Sequence, residues 1–89
     1  MVKVGETTLF LDLAALEHNY HYLRSKIEPE TKFMAVVKAF AYGSDMVAVS
    51  KKLERLGVDY FAVAYVGEGV LLRNAGIKTP ILVLHPLAS

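Results

Sequence analysis

Three short apolar runs, separated by helical patterns, constrain the fold of this chain more than any other feature. They are Phe33 to Val37, Tyr60 to Val66 and Ile81 to Leu84. Nearly continuous apolar runs of this length are typical of strands buried on both faces of a parallel sheet. Their starts are separated by little more than twenty residues, which is the spacing of successive βαβ units. The sequence therefore predicts an α/β fold with about three parallel strands and intervening helices.

The segment before the first run predicts a strand followed by a helix. Thr8 to Asp12 alternates weakly and is rich in strand formers, and Asp12 can cap the helix that follows. This helix is expected to end before Pro29. Its apolar residues recur at steps of three and four, namely Leu13, Leu16, Tyr20, Leu23 and Ile27.

Two further helices are predicted between the runs. After a loop at residues 42–44, Asp45 can cap a helix that Gly57 closes, because glycine suits the left-handed residue at a helix end. A third helical stretch, Glu68 to Ala75, is expected to close at Gly76 for the same reason.

The order of these elements fits two architectures. Right-handed crossovers would place both later helices on one face of the sheet, which suits a (β/α)8 barrel of the TIM type or an open doubly wound sheet. Periodicity alone leaves both open. A full barrel needs ~250 residues, whereas this chain has 89, and its 54% hydrophobic content indicates elements covered on both sides. The chain is therefore interpreted as an incomplete portion of a larger unit.

Composition excludes several classes of function. The net charge is +1 and the basic residues do not cluster, so nucleic acid and acidic membrane surfaces are not expected partners. Without cysteine, neither disulfides nor thiolate metal sites can form. The start MVKVGETT lacks a signal-peptide pattern, and the apolar runs are too short to span a membrane. A cytoplasmic location is expected.

Lys38 is the charged residue with the most unusual position in the sequence. It ends an apolar run in a predicted interior strand, where an unpaired ammonium is costly to bury. Either the strand ends at Val37 and the lysine reaches solvent, or Lys38 is a nucleophile toward a carbonyl at the carboxyl end of a strand. In an extended chain Phe40 and Tyr42 would share its face, and the Tyr42 phenol could donate to a phosphate oxygen. The residues alone leave both interpretations open.

Other polar residues show weaker patterns. His18 and His21 are expected on a helix surface, and His85 in a solvated loop after the third strand. Gly67 and Gly69 are interpreted as part of an ordinary βα turn, because no GxGxxG or Walker pattern is present. None of these residues is assigned chemistry, and no metal site is predicted.

The run MAVVKAFAYGS, residues 34–44, resembles the cofactor-lysine signature of bacterial alanine racemases, usually seen as VKANAYGHG. Upstream, LDLAALEHNYHYLRSKI is similar to the family's opening strand and helix. Downstream, VDYFAVAYVGEG, LLRNAGI and TPILVL continue the resemblance, which covers nearly the whole chain.

The resemblance implies a fold-type III enzyme that uses pyridoxal 5'-phosphate (PLP). Such an enzyme has an N-terminal PLP-binding (β/α)8 barrel, of which residues 1–89 would be the opening fragment, a C-terminal β domain, and an active site shared across a homodimer. Lys38 matches the cofactor lysine, which forms a Schiff base and acts as a proton-transfer base, and Tyr42 matches the tyrosine that contacts the cofactor phosphate. Phe40 stands where asparagine is usual, which is similar to the branch fused to a muramoyl-peptide ligase.

The implied function is the interconversion of L-alanine and D-alanine, which supplies D-alanine for peptidoglycan. The second base and the arginines of such sites are expected beyond Ser89, so this portion alone is expected to be inactive. The alternatives are a non-catalytic PLP-carrier protein, a related PLP-dependent amino-acid decarboxylase and an inactive βα fragment. The Tyr42-Gly43 ending favours the racemase, because decarboxylases usually have a proline there and carrier proteins place their lysine in a different local sequence.

Overall fold

The computed structural model describes residues 13–38 and 43–87 of the chain. The predicted strand Thr8 to Asp12 with its cap, and the predicted face residues Phe40 and Tyr42, lie outside the described residues. No helix in the described ranges is long and apolar enough to cross a membrane. The elements in chain order are α1 (Leu13–Ser25), β1 (Met34–Val36), α2 (Gly43–Leu56), β2 (Tyr60–Tyr65), α3 (Val66–Asn74) and β3 (Ile81–His85).

The strands form one parallel sheet in the order β1-β2-β3. Across it, Ala35 lies beside Phe61 and Phe61 lies beside Ile81, so the three strands are in a continuous register. Consecutive strands are neighbours, and each is joined to the next by a helix, as in successive βαβ units. The predicted α/β class with three parallel strands is confirmed.

The hydrophobic core lies between the helices and one face of the sheet. Alternate strand residues face the helices, because side chains alternate along a strand. On α1, Tyr20 is buried and its ring centroid lies 5.0 Å from that of Phe33, which attaches this helix to the amino end of β1. The buried members of the core are Tyr20, Ala35, Val37, Met46, Leu53, Val58, Phe61, Val63, Leu72 and Ile77.

The opposite face of the sheet is apolar and open. Val36 is 61% exposed, and Leu82 and Leu84 are about half exposed, although all three belong to strands. Met34 and Tyr60 lie on the same face and are also exposed. In a closed (β/α)8 barrel this face is the packed interior. We call the surface formed by Met34, Val36, Tyr60, Leu82 and Leu84 the open face.

Two helices begin earlier than the sequence predicted. The predicted loop at residues 42–44 is wrong at its end, because α2 starts at Gly43 and Asp45 lies within its first turn instead of capping it. An acidic residue is favourable there because the helix dipole is positive at its amino end. Helix α3 starts at Val66, directly after β2, so Glu68 lies within the helix and not at its start. The predicted turn at Gly67 and Gly69 is therefore absent.

Glycine closes α2 and α3 as predicted. Gly57 has a φ of 107° and Gly76 a φ of 94°, both in the left-handed region that side chains with a Cβ rarely adopt. The amide of Gly57 donates to the carbonyl of Leu53, and that of Gly76 to the carbonyl of Arg73, so each glycine satisfies a carbonyl in the last turn of its helix.

Side chains from two helices hold the loop that leads into β3. The Glu54 carboxylate of α2 accepts hydrogen bonds from the amides of Lys78 and Thr79 and from the Thr79 hydroxyl, at 2.7 to 2.8 Å. Arg73 of α3 donates to the carbonyls of Ile77 and Thr79, both at 2.8 Å. The Thr79 hydroxyl, aided by the two amides, lowers the pKa of Glu54 despite the opposing effect of partial burial. This polar clamp fixes the amino end of β3.

Candidate active site

The carboxyl ends of the three strands meet at one edge of the sheet, because the strands are parallel. Lys38 follows β1, Glu68 follows β2, and His85 is the last residue of β3. In parallel α/β folds this edge is where binding and catalytic residues collect. The candidate site is therefore built at this edge, with the open face beside it.

Lys38 lies two residues beyond β1, and its side chain is exposed. The amide of Val37 donates to the carbonyl of Ala62 at 2.9 Å, which ties the chain to β2 one residue before the lysine. The strand is therefore shorter than the predicted run Phe33 to Val37, and Lys38 reaches solvent, which was one of the two interpretations that the residues left open. The physical reason is the open face, since nothing among the described residues covers it at this level.

Lys38 also borders an apolar cavity of about 380 Å³ between α1, β1 and α2. A volume in this range is sufficient for a small-molecule ligand. A primary amine at the rim of an apolar cavity is suited to reaction with a carbonyl compound, because a lysine amine can add to a carbonyl carbon to form a Schiff base. The other described residues that line the cavity are Leu16, Val36, Val37, Met46, Val49 and Leu53.

Glu68 connects the end of β2 to the start of α3. Its Oε1 accepts hydrogen bonds from the amides of Ala64 and Tyr65, at 2.8 and 2.9 Å. A carboxylate three residues into a helix commonly reaches back to amides before the first turn, and its charge strengthens both bonds. This contact lets β2 pass into α3 without a loop.

His85 lies opposite Tyr65 at the end of the sheet, not in a loop after β3 as predicted. Their ring centroids are 5.6 Å apart with the planes tilted by 32°, and both side chains are exposed. The predictions that His18 and His21 lie on a helix surface are confirmed, since both are exposed on α1. In residues 13–38 and 43–87, no group of three or more histidine, aspartate or glutamate side chains could hold a metal ion.

The structure thus brings Lys38, Glu68 and His85 to one edge, but only Lys38 was predicted as a site residue. Tyr42, the other predicted site residue, lies outside the described residues. Sequence reasoning missed the role of Glu68, although a glutamate in the first turn after a strand is a recognisable helix-start pattern. The pattern was hidden because the two glycines beside it suggested a turn.

Comparison with known proteins decides the family. Residues 11–89 match the family described as alanine racemase, N-terminal domain. This chain belongs to the alanine racemase N-terminal domain family. Its α/β fold is correspondingly part of the N-terminal (β/α)8 barrel of alanine racemases, which resolves the choice that periodicity left open.

Several alanine racemases share this segment closely. The alanine racemase of Citrifermentans bemidjiense is 49% identical over 78 residues, which cover 88% of this chain and 21% of that protein. The solved alanine racemase of Clostridium difficile 630 is similar with a TM-score of 0.76 and 43% identity, over 83% of this chain and 19% of that one. That of Bacillus anthracis with bound L-Ala-P also has a TM-score of 0.76, with 42% identity over 85% of this chain and 20% of that one. The chain spans about a fifth of the length of the relatives it matches.

Proposed function

We propose that the protein containing this chain is an alanine racemase that interconverts L-alanine and D-alanine with PLP held on Lys38. The observation that carries the proposal is the position of Lys38, two residues beyond β1 at the carboxyl edge of a parallel sheet, in a member of the alanine racemase N-terminal domain family. Residues 1–89 are then the opening fragment of the PLP-binding barrel domain.

The described residues fit a cofactor of this kind. PLP carries an aldehyde, which needs a primary amine, and the exposed Lys38 amine is accessible for that bond. It also has a flat aromatic ring, and the exposed Leu84, next to the carboxyl end of β3, can pack against such a ring. Tyr42 matches the family's phosphate-contacting tyrosine, and we propose that its hydroxyl donates to a phosphate oxygen.

The reaction requires removal and return of the α-proton of alanine on opposite faces. PLP supplies the electron sink that makes this proton acidic. With the cofactor and substrate bound, the Lys38 amine would accept or return this proton on one face. The base for the other face would come from outside this chain, as a tyrosine of the partner subunit in a homodimer.

Further parts of the proposal follow from the same family membership. The D-alanine formed would supply peptidoglycan synthesis in the cytoplasm. Because only one of the two bases is present, we do not expect the 89-residue chain alone to racemise alanine. A PLP carrier would bind the cofactor without changing alanine, and a decarboxylase would release carbon dioxide from its substrate, so both alternatives are separable by assay.

Borohydride reduction of the full-length protein after incubation with PLP tests the assignment. We expect the cofactor absorbance to be fixed by reduction and peptide mass spectrometry to find the added mass on Lys38. Lys38→Ala should abolish the fixed absorbance, whereas Lys32→Ala, an exposed lysine at the amino end of β1, should retain it. A label on any other lysine in the unmodified sequence would refute the assignment.

A further inference from the structure

The hydrogen bonds between β1 and β2 follow a regular alternation. The amide of Tyr60 donates to the carbonyl of Phe33, and the carbonyl of Ala62 accepts from the amide of Val37. Even-numbered residues of β2 therefore direct their backbone groups toward β1, because alternate residues of a parallel strand bond to the same neighbour. The amide of Ala64 comes next on this edge, and its partner in a continued ladder would be the carbonyl of Val37.

The amide of Ala64 instead donates to Glu68 Oε1 at 2.8 Å. A carboxylate is a stronger acceptor than a peptide carbonyl because it is charged. It is also held within reach, since Glu68 lies only four residues away in the first turn of α3. The side chain thus replaces the next bond of the sheet, and pairing of β1 with β2 stops at Val37.

We propose that Glu68 is a positioning residue for Lys38. By taking the Ala64 amide, Glu68 removes the donor that the Val37 carbonyl would meet in a continued ladder, so pairing of β1 with β2 ends at the residue just before Lys38. The site of chain departure fixes where the Lys38 amine can reach, and chemistry at that amine depends on its placement to within about 1 Å. This inference rests on the proposed function of Lys38, but its structural part stands apart from any cofactor.

Three substitutions of Glu68 separate acceptor position from charge. Glu68→Asp keeps the charge and a favourable first turn of α3, but places the carboxylate about 1.5 Å short of the amide. Glu68→Gln keeps an oxygen acceptor at the original length without the charge. Glu68→Ala removes the acceptor. Arg73→Ala is the matched control, because it weakens the other end of α3 through the loss of the Ile77 and Thr79 bonds and leaves the Ala64 amide untouched.

The structural readout is a crystal structure of full-length Glu68→Asp. We expect the Ala64 nitrogen to lie within about 3.2 Å of the Val37 carbonyl oxygen, with the position of the Lys38 amine shifted because it follows Val37 directly. The same pairing is expected in Glu68→Ala, and Glu68→Gln should keep the original arrangement. An unchanged departure of β1 in Glu68→Asp would overturn the proposal, whether or not the protein binds PLP.

The functional readout is the absorbance of the Lys38-bound cofactor together with kcat, KM and their pH profiles. Glu68→Asp should lower kcat on the order of 100-fold and alter the pH dependence of the absorbance, with little change in KM. Glu68→Gln should keep kcat within about 3-fold of the unmodified protein, because the glutamine side chain has an oxygen acceptor at the same position. Equal thermal destabilisation by Glu68→Asp and Arg73→Ala, with kcat and absorbance unchanged in both, would show a purely structural role. Failure of the unmodified protein to bind PLP at Lys38 would instead reject the proposed function.

Discussion

Ser50 shows at the residue scale how a small local defect can be tolerated in a packed helix. It is fully buried on α2, and its hydroxyl has no hydrogen-bond partner among the described residues. A buried hydroxyl without a partner costs about 1 to 3 kcal/mol relative to its hydrated state. The small side chain of Ser50 nevertheless suits its position, because α2 packs closely against the core there.

Replacing this hydroxyl should stabilise the fold. We expect Ser50→Ala to raise the free energy of unfolding by about 1 kcal/mol, because it removes an unpaired polar group and improves helix propensity. Urea unfolding followed by circular dichroism measures the change. Ser25→Ala is the comparison, since the Ser25 hydroxyl donates to the carbonyl of Tyr22 at 2.6 Å on the surface and should not give the same gain. A loss of stability in Ser50→Ala would mean that the hydroxyl has a partner.

At the scale of elements, the three predicted helices and the three predicted parallel strands are confirmed, but their ends are not all where local patterns placed them. Pairing of β1 with β2 stops at Val37 because Glu68 accepts from the Ala64 amide, the next donor on that edge. Helix α3 starts at Val66 because the same side chain satisfies the amides before its first turn. Both shifts come from the Glu68 side chain, whose contacts are local but whose effect on β1 appears only when β1 and β2 are paired.

The clamp formed by Glu54 at the amino end of β3 makes stability depend on pH. The pKa of Glu54 is lowered from its ordinary value of 4.5, first by the Thr79 hydroxyl, so its stabilising effect is present above that value and is lost as pH falls through the folded-state pKa. We expect Glu54→Gln to destabilise the fold by about 1 kcal/mol near pH 7 and by clearly less in strong acid.

Paired denaturation curves at the two pH values measure this difference. Glu30→Gln, on an exposed loop, is the control and should change stability by less than about 0.5 kcal/mol at either pH. An equal effect of Glu54→Gln at both pH values would show that the carboxylate charge contributes nothing to the clamp.

At the scale of the whole molecule, the open face is the feature that distinguishes this segment from a self-contained domain. A sheet with helices on one side and exposed Val36, Leu82 and Leu84 on the other has only half of its apolar surface covered within the described residues. In the (β/α)8 barrel of the family, this face is the packed interior. The high hydrophobic content of the sequence reflects that second, interior face.

A charge on the open face should have a small effect in the 89-residue chain and a large one in the full-length protein. In the 89-residue chain, Leu82→Glu should change stability by less than about 1 kcal/mol, because Leu82 is 49% exposed there. In the full-length protein the same change should destabilise by about 3 kcal/mol or more, since it buries an unpaired carboxylate. Thermal unfolding of both proteins tests this. Similar effects in the two would indicate that the open face is not the barrel interior.

The sequence by itself determined the order of the elements, the parallel βαβ arrangement, the glycine closures at Gly57 and Gly76, and Lys38 as the candidate site residue. These depend on periodicity, backbone conformation and short motifs, which are local properties that single segments carry. Only the tertiary structure decided that pairing of β1 with β2 ends just before Lys38, that the next amide on β2 donates to Glu68 instead, and that one face of the sheet is open. These depend on backbone groups of different strands competing for the same partners, so they exist only once the strands are assembled.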